Sequence, residues 1–148
     1  MPDKTELFQI SGDILQMTRG IIVHQVNCQG VMGAGLALQI RRKYPRHYAD
    51  FVSRNPHLGG LVITQVNAGL YVVGIYGQDG YGGSSCHTDY DALAKGLAAV
   101  QQLSRETGLQ LFIPFGIGCG LAHGDWGIVR QLILRNAPGA IVVKKEKK

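Results

Sequence analysis

The chain has 148 residues, a length that suits one domain. A hydrophobic fraction of 45% excludes a disordered chain, and 21 glycines without a Gly-X-Y period exclude collagen. Of the formal charge of +5, the last five residues (four lysines and one glutamate) supply +3, and only 17% of all residues are charged, which excludes a protein that coats polyanions. The division expected is a domain over 1–143 and a solvated basic tail over 144–148.

The first strand is predicted at 6–11, closed by Gly12-Asp13, with 14–17 continuing extended to a turn at Thr18-Arg19-Gly20. Residues 21–27, Ile-Ile-Val-His-Gln-Val-Asn, are β-branched and nearly all apolar, as in a strand buried on both faces. A Gly-rich loop to Gly35 leads into a helix at 36–43, ended before Pro45, and a second helix at 46–54. Strands follow at 61–66 and 70–75, then the Gly-rich stretch 77–84. Thr88-x-x-Asp91 reads as a capping box opening a helix at 89–107, whose Leu93, Leu97, Val100 and Leu103 recur at helical spacing. A strand at 109–114, a loop from Phe115 to Gly124, a helix at 125–136 and a strand at 140–144 complete the chain. This alternation predicts an α/β domain with a mixed, largely parallel sheet and helices on both faces.

In such sheets ligands bind outside the carboxyl ends of strands, and two Gly-rich loops, after 21–27 and after 109–114, stand there. Each leads into a helix N-terminus, whose free N–H groups and partial positive charge favour an anion such as a diphosphate. No G-x-x-x-x-G-K-[ST] run exists, which excludes a P-loop. Gly118-x-Gly120-x-x-x-Gly124 imitates a dinucleotide fingerprint, but too little chain follows it for a Rossmann half. Three cysteines (Cys28, Cys86, Cys119) without C-x-x-C spacing exclude a disulfide framework and a structural zinc site. No apolar run approaches the ~20 residues of a membrane span, and the polar N-terminus lacks a signal peptide's apolar segment. A soluble cytoplasmic protein with no membrane partner, no metal and no cofactor is therefore expected. The cluster Arg41-Arg42-Lys43 with Arg46 suits either a phosphate contact or a wet helix end, so nucleic-acid contact stays open without being expected.

Three stretches resemble one family, in order and over essentially the whole chain. They are Gly12-Asp13-Ile14, the run from Val26 to Ala37 (VNCQGVMGAGLA), and Gly116-Ile117-Gly118-Cys119-Gly120-Leu121 followed by Gly124-Asp125-Trp126. The family is the macrodomain. Within it the motifs are similar to the branch that holds terminal ADP-ribose protein glycohydrolases, bacterial DNA-ADP-ribose-removing antitoxins and ADP-ribose-1″-phosphate phosphatases. The stretch from Gly77 through Asp91 is most similar to the phosphatase-like members, including phage-encoded ones. The resemblance implies a three-layer α/β/α fold and ADP-ribose, or a derivative of it, as the ligand of a monomer. Asp13 would accept from the adenine amino group and the Ile14 N–H would meet the ring. Pro114, Gly116, Ile117, Gly118, Cys119, Gly120 and Leu121 would cradle the diphosphate. Asn27, Gly30, Val31, Met32, Gly33 and Gly35 would close over the distal ribose. Read from the residues alone, Asp13 also suits a turn or cap, and Asn27 an Asx-turn.

The glycohydrolase members use a lysine after the middle strand and an aspartate directly after G-C-G-L. This chain has no lysine between Lys43 and Lys95, and Ala122 follows Leu121, which argues against a lysine-adduct mechanism. His24, Asp79 and Asp125 are the catalytic candidates, with His87 and His123 also available for acid–base work. Each has a plain alternative: His24 a core histidine, Asp79 a surface loop residue, Asp125 the cap of the last helix. Cys119, beside His123, would be an activated nucleophile in a rival reading. Two function classes follow: a metal-independent hydrolase acting on ADP-ribose 1″-phosphate or O-acetyl-ADP-ribose, and a module that binds ADP-ribose without turnover. A glycohydrolase acting without the family lysine is a further alternative.

Overall fold

The computed structural model describes residues 6–83 and 85–145. Ser84 in the Gly-rich stretch and the tail beyond Lys145 lie outside the described residues. The elements run β1 (Phe8–Ser11), β2 (Gly20–Asn27), α1 (Gly35–Lys43), α2 (Pro45–Ser53), β3 (Leu61–Asn67), β4 (Leu70–Gln78), α3 (Tyr90–Thr107), β5 (Leu111–Pro114), α4 (Trp126–Asn136) and β6 (Ile141–Lys144). They build one six-stranded sheet in the order β1-β6-β5-β2-β4-β3. Every neighbouring pair is parallel except β3 with β4. The mixed, largely parallel sheet is thus as expected, and most element bounds differ by only a residue or two, the usual range for frayed ends.

Two local readings are corrected. Residues 14–16 form a short 3-10 turn rather than an extended segment, because Asp13 Oδ1 accepts from Leu15 N at 2.9 Å and Gln16 N returns to Asp13 O. Such an Asx-turn outcompetes strand geometry locally. At α3 the cap is Asp89, which accepts from Ala92 N, and not Thr88, whose hydroxyl is drawn into a tertiary bond instead.

β2 organises the core. Ile21 and Val23 face one side, where Leu93, Leu97 and Val100 of α3 and Val129 and Ile133 of α4 cover them. Ile22 and Val26 face the other, where Ile40 of α1 and Phe51 of α2 pack. This gives helices on both faces, three layers in all, and each fully buried aliphatic side chain stabilises the fold by about 1.5–3 kcal/mol. The chain leaves β2 toward β4 on one side, and later enters β5 on the other. The boundary between β2 and β5 is therefore the switch point at which a crevice opens.

α3 lies so close to β4 that a Cβ on Gly96 would sit 2.1 Å from Ile75 Cγ2. Gly96→Ala gains about 1 kcal/mol of helix propensity and loses about 1–3 kcal/mol or more to overpacking. Urea denaturation is expected to show net destabilisation, and a more stable variant would contradict this packing.

Candidate functional site

At the carboxyl ends of β2 and β5 lies a cavity of about 650 Å³, within the size range of small-molecule sites. One wall is the loop after β2 with the start of α1: Asn27, Val31 and the run Gly33 to Ala37. The other wall is Pro114 to Gly118 with Gly120, Leu121 and Ala122. His24, Gln25, Val26 and Gln78 line it from the sheet, and Tyr81 and Gly82 from the segment after β4. Among the described residues, no Asp, Glu, Lys or Arg lines it.

The first wall is shaped by Asn27. Its Oδ1 accepts from Gln29 N and Val31 N, and its Nδ2 donates to Val31 O. The side-chain amide is thus engaged in the loop as an Asx-turn, with one Nδ2 hydrogen not used there. The loop delivers the chain to α1 with Ala34 at the N-cap and no side-chain cap bond. α3 and α4 are capped by aspartates; α1 begins bare, and its first N–H groups border the cavity.

The second wall is folded by its own backbone. Ile117 N returns to Pro114 O, Cys119 N to Gly116 O, and Gly124 N to Gly118 O at 2.8 Å. Gly124 passes so close that a Cβ there would lie 2.4 Å from Gly118 O. Gly116 and Gly118 take φ of 79° and 75°, the left-handed region that favours glycine. Among the described residues, the N–H groups of Gly116, Gly118, Gly120 and Leu121 donate to nothing within the chain. Gln25 anchors this wall to the sheet: its Nε2 donates to Gln78 Oε1 and Thr88 Oγ1, and Thr88 Oγ1 donates to Gly118 O at 2.6 Å.

Of the residues expected at the site, His24, Asn27, Val31, Gly33, Gly35, Pro114, Gly116, Ile117, Gly118, Gly120 and Leu121 line the cavity. The structure does not bring the others to its lining. Met32 is buried in the core beneath the loop, Gly30 stands outside, and Cys119 packs against the core. Burial, then the charges of Asp125 and Cys86, push the Cys119 thiol up to about 11. It stays protonated at neutral pH, which removes the nucleophile reading. Asp13 and Ile14 stand on the same carboxyl edge, beside β6, where Gly12 N donates to Lys144 O, but outside the lining.

Asp79 accepts from Gln29 Nε2, a brace between two loops, and Asp125 caps α4 by accepting from Ile128 N at 3.2 Å. Both are exposed and neither is among the residues that line the cavity. His87 Nε2 pairs with Gly82 O and His123 Nε2 with Gly83 O, which pins the segment after β4. The basic cluster is also engaged locally: the Arg41 guanidinium stacks on Tyr48, Lys43 donates to Leu15 O and Arg46 to Gln65 O.

Sequence reasoning missed Gln25, Gln78, Tyr81 and Phe115. The two glutamines carried a signal, being polar residues in otherwise apolar strands.

His24 lies mid-strand at 2% exposure, with its Nε2 2.9 Å from His47 Nε2. Burial, then the neighbouring His47, holds it well below the usual histidine range. Burial lowers His47 to about 4, against an opposing pull from Asp50. Both rings are neutral at pH 7.

No family model matches the sequence. Over 41 residues the chain is 46% identical to the DNA ADP-ribosyl glycohydrolase of Mycobacterium tuberculosis, a match that covers 28% of this chain and 12% of that protein. A macrodomain protein from Streptomyces coelicolor superposes with a TM-score of 0.79 at 24% identity, over 97% of this chain and 100% of that one. Thermosipho africanus DarTG, solved in complex with ADP-ribose, superposes with a TM-score of 0.76 at 19% identity, over 98% of this chain and 44% of that one. The chain has the macrodomain fold. Among the described residues, no helix is long and apolar enough to cross a membrane.

Unfolded histidines bind a proton near pH ~6.5, whereas folded His47 does so near 4. Between those values the unfolded chain holds more protons, so stability is full above pH 6.5 and falls as pH drops toward 4. His47 alone is expected to remove about 2 kcal/mol by pH 5. Urea midpoints at pH 7.5 and 5.0 measure the drop, which is expected to be smaller in His47→Gln; an equal drop in both proteins would contradict a neutral buried pair.

Proposed function

We propose that this macrodomain binds ADP-ribose in the cavity between β2 and β5. The observation that carries the reading is a pair of open backbone donor sets facing one cavity: the uncapped first turn of α1 and the 116–121 turn. A diphosphate satisfies both, since helix N-termini and clustered N–H groups attract anions without a cationic side chain. Among the described residues, the lining accordingly carries no charged side chain. The distal ribose lies against Val31, Gly33 and the end of β2. The adenine runs along the carboxyl edge toward Asp13 and Ile14. The ADP-ribose complex of the Thermosipho protein and the curated name of the mycobacterial protein support this ligand class.

A second reading, hydrolysis of an ADP-ribose derivative, is favoured by His24. Among the described residues it is the one imidazole in the lining, and it is neutral at pH 7. A neutral ring nitrogen takes a proton from water as the water oxygen bonds to the 1″-phosphate or the acyl carbon. It then returns that proton to the departing ribose oxygen. Among the described residues no lysine lines the cavity, and Ala122 stands buried in its wall, so neither group of the lysine-adduct route is present there.

Ala34→Asp tests the binding reading against a structural role. A carboxylate at the N-cap stabilises α1 by about 0.5–2 kcal/mol and occupies the donors that a diphosphate needs. Calorimetry is expected to show ADP-ribose affinity falling at least tenfold while the melting temperature holds or rises; unchanged affinity would sink the diphosphate placement. In parallel, release of phosphate, acetate or ADP-ribose from the 1″-phosphate, O-acetyl-ADP-ribose and ADP-ribosylated DNA is measured with the parent chain and His24→Gln. Turnover lost in His24→Gln with binding retained supports the hydrolase. Absence of turnover on all three leaves the binding module as the function.

A further inference from the structure

On the face covered by α1 and α2, four side chains form a hydrogen-bonded chain that diphosphate binding does not use. Thr64 of β3 has one hydroxyl proton and donates it to Asp50 Oδ2 of α2 at 2.6 Å. Its oxygen therefore receives the bond from His47 Nδ1, 2.8 Å away, which makes Nδ1 the protonated nitrogen of neutral His47. His47 Nε2 is then the bare nitrogen, and it accepts from His24 Nε2 at 2.9 Å. His24 is left with its proton on Nε2 and a lone pair on Nδ1.

Each link removes one choice, and the carboxylate at the far end sets the direction. A carboxylate accepts only, so the 2.6 Å contact with Asp50 Oδ2 takes the single Thr64 hydroxyl proton. His47, Thr64 and His24 are all at most 2% exposed, so water does not offer competing partners along the chain. The rings of His24 and His47 are tilted by 57°, with centroids 5.1 Å apart. At the near end, among the described residues, His24 Nδ1 has no hydrogen-bond partner although it is buried. A core histidine placed only for packing gains nothing from a bare acceptor of this kind. His24 is also one of the residues that line the cavity, with the Nδ1 atom itself closed to solvent in the free protein.

We propose that Asp50, Thr64 and His47 are positioning residues, a buried relay that locks His24 as its Nε2–H tautomer and holds Nδ1 as an acceptor for a ribose hydroxyl of the bound ligand. The ligand half of this proposal rests on the ADP-ribose reading. The relay half concerns the free protein alone. Together they give the site a preference that backbone donors cannot supply. Those donors recognise any diphosphate, whereas a fixed acceptor recognises a hydroxyl at one point beyond it.

The test is a long-range proton–nitrogen NMR spectrum of the imidazoles in the ¹⁵N-labelled full chain at pH 7, followed by titration with ADP-ribose. In the free protein His24 is expected to show a protonated Nε2 and a bare Nδ1. A proton on Nδ1, or a mixture of tautomers, would overturn the relay. Thr64→Val is expected to give a mixture at His24 and Thr64→Ser to restore the single tautomer. The parent spectrum alone decides the assignment if the valine variant does not fold, and a single unchanged tautomer in folded Thr64→Val would overturn the relay. On adding ADP-ribose, the Nδ1 resonance is expected to move as it gains a donor. Binding heat by calorimetry with no movement at Nδ1 would overturn the ligand half. No binding heat would overturn the ADP-ribose reading and the ligand half with it, while the spectra of the free protein still decide the relay.

Discussion

Backbone N–H groups left open at one edge of the sheet are the constraint on which the rest of the cavity depends. A buried amide without a partner is costly, and folds ordinarily fill such positions with a cap or a turn. Here α3 and α4 receive aspartate caps and α1 receives alanine. Opposite α1, the 116–121 turn uses the N–H groups of Ile117 and Cys119 for its own shape and, among the described residues, keeps those of Gly116, Gly118, Gly120 and Leu121 open. The glycines follow from that need, since left-handed backbone at Gly116 and Gly118 is what turns successive amides toward one side. Charged side chains are then superfluous in the lining, and none is present among the described residues.

Two adjacent polar side chains of β2, His24 and Gln25, divide the remaining work between the two faces of the sheet. Gln25 reaches toward α3 and, through Thr88, fixes Gly118 and so the position of the open turn. His24 reaches the other way, to His47. Adjacent residues on a strand point to opposite faces, so this one dipeptide of β2 ties the 116–121 wall to one face of the sheet and α2 to the other. Neither interaction tolerates much drift. Gly77 leaves no room for a Cβ beside Gln25 Oε1, at 2.4 Å, and the histidine pair is closed to water.

What was legible in the sequence was whatever depends on neighbours along the chain. β2 could be read because a β-branched run buried on both faces has few other readings. α3 could be read because Leu93, Leu97 and Val100 repeat at helical spacing, and the two open turns could be read from their glycines. The short turn at 14–16 was missed although its cause is local, because Asp13 suits a strand end as well as an Asx-turn. Thr88 was misplaced because its partner, Gly118, is thirty residues away. Asp79 and Asp125 were candidates on residue type, whereas position decides, and both stand outside the cavity as a loop brace and a helix cap. His47, Thr64 and Asp50 were invisible as a group. Each is ordinary in its own helix or strand, and only packing α2 against β3 makes them a chain.

The most direct measurement is an amide-resolved proton–nitrogen NMR titration of the protein with ADP-ribose, with ADP and NAD as comparison ligands. The expected result is saturable binding at micromolar concentration, about −8 kcal/mol, with the largest shifts at Gly35 and Leu36 on one wall and Gly118, Gly120 and Leu121 on the other. ADP is expected to move the 118–121 amides while leaving those near Val31 and Gly33 less perturbed. Shifts absent from both walls, or confined to residues outside the cavity, would contradict the central claim that open backbone donors bind the ligand's diphosphate.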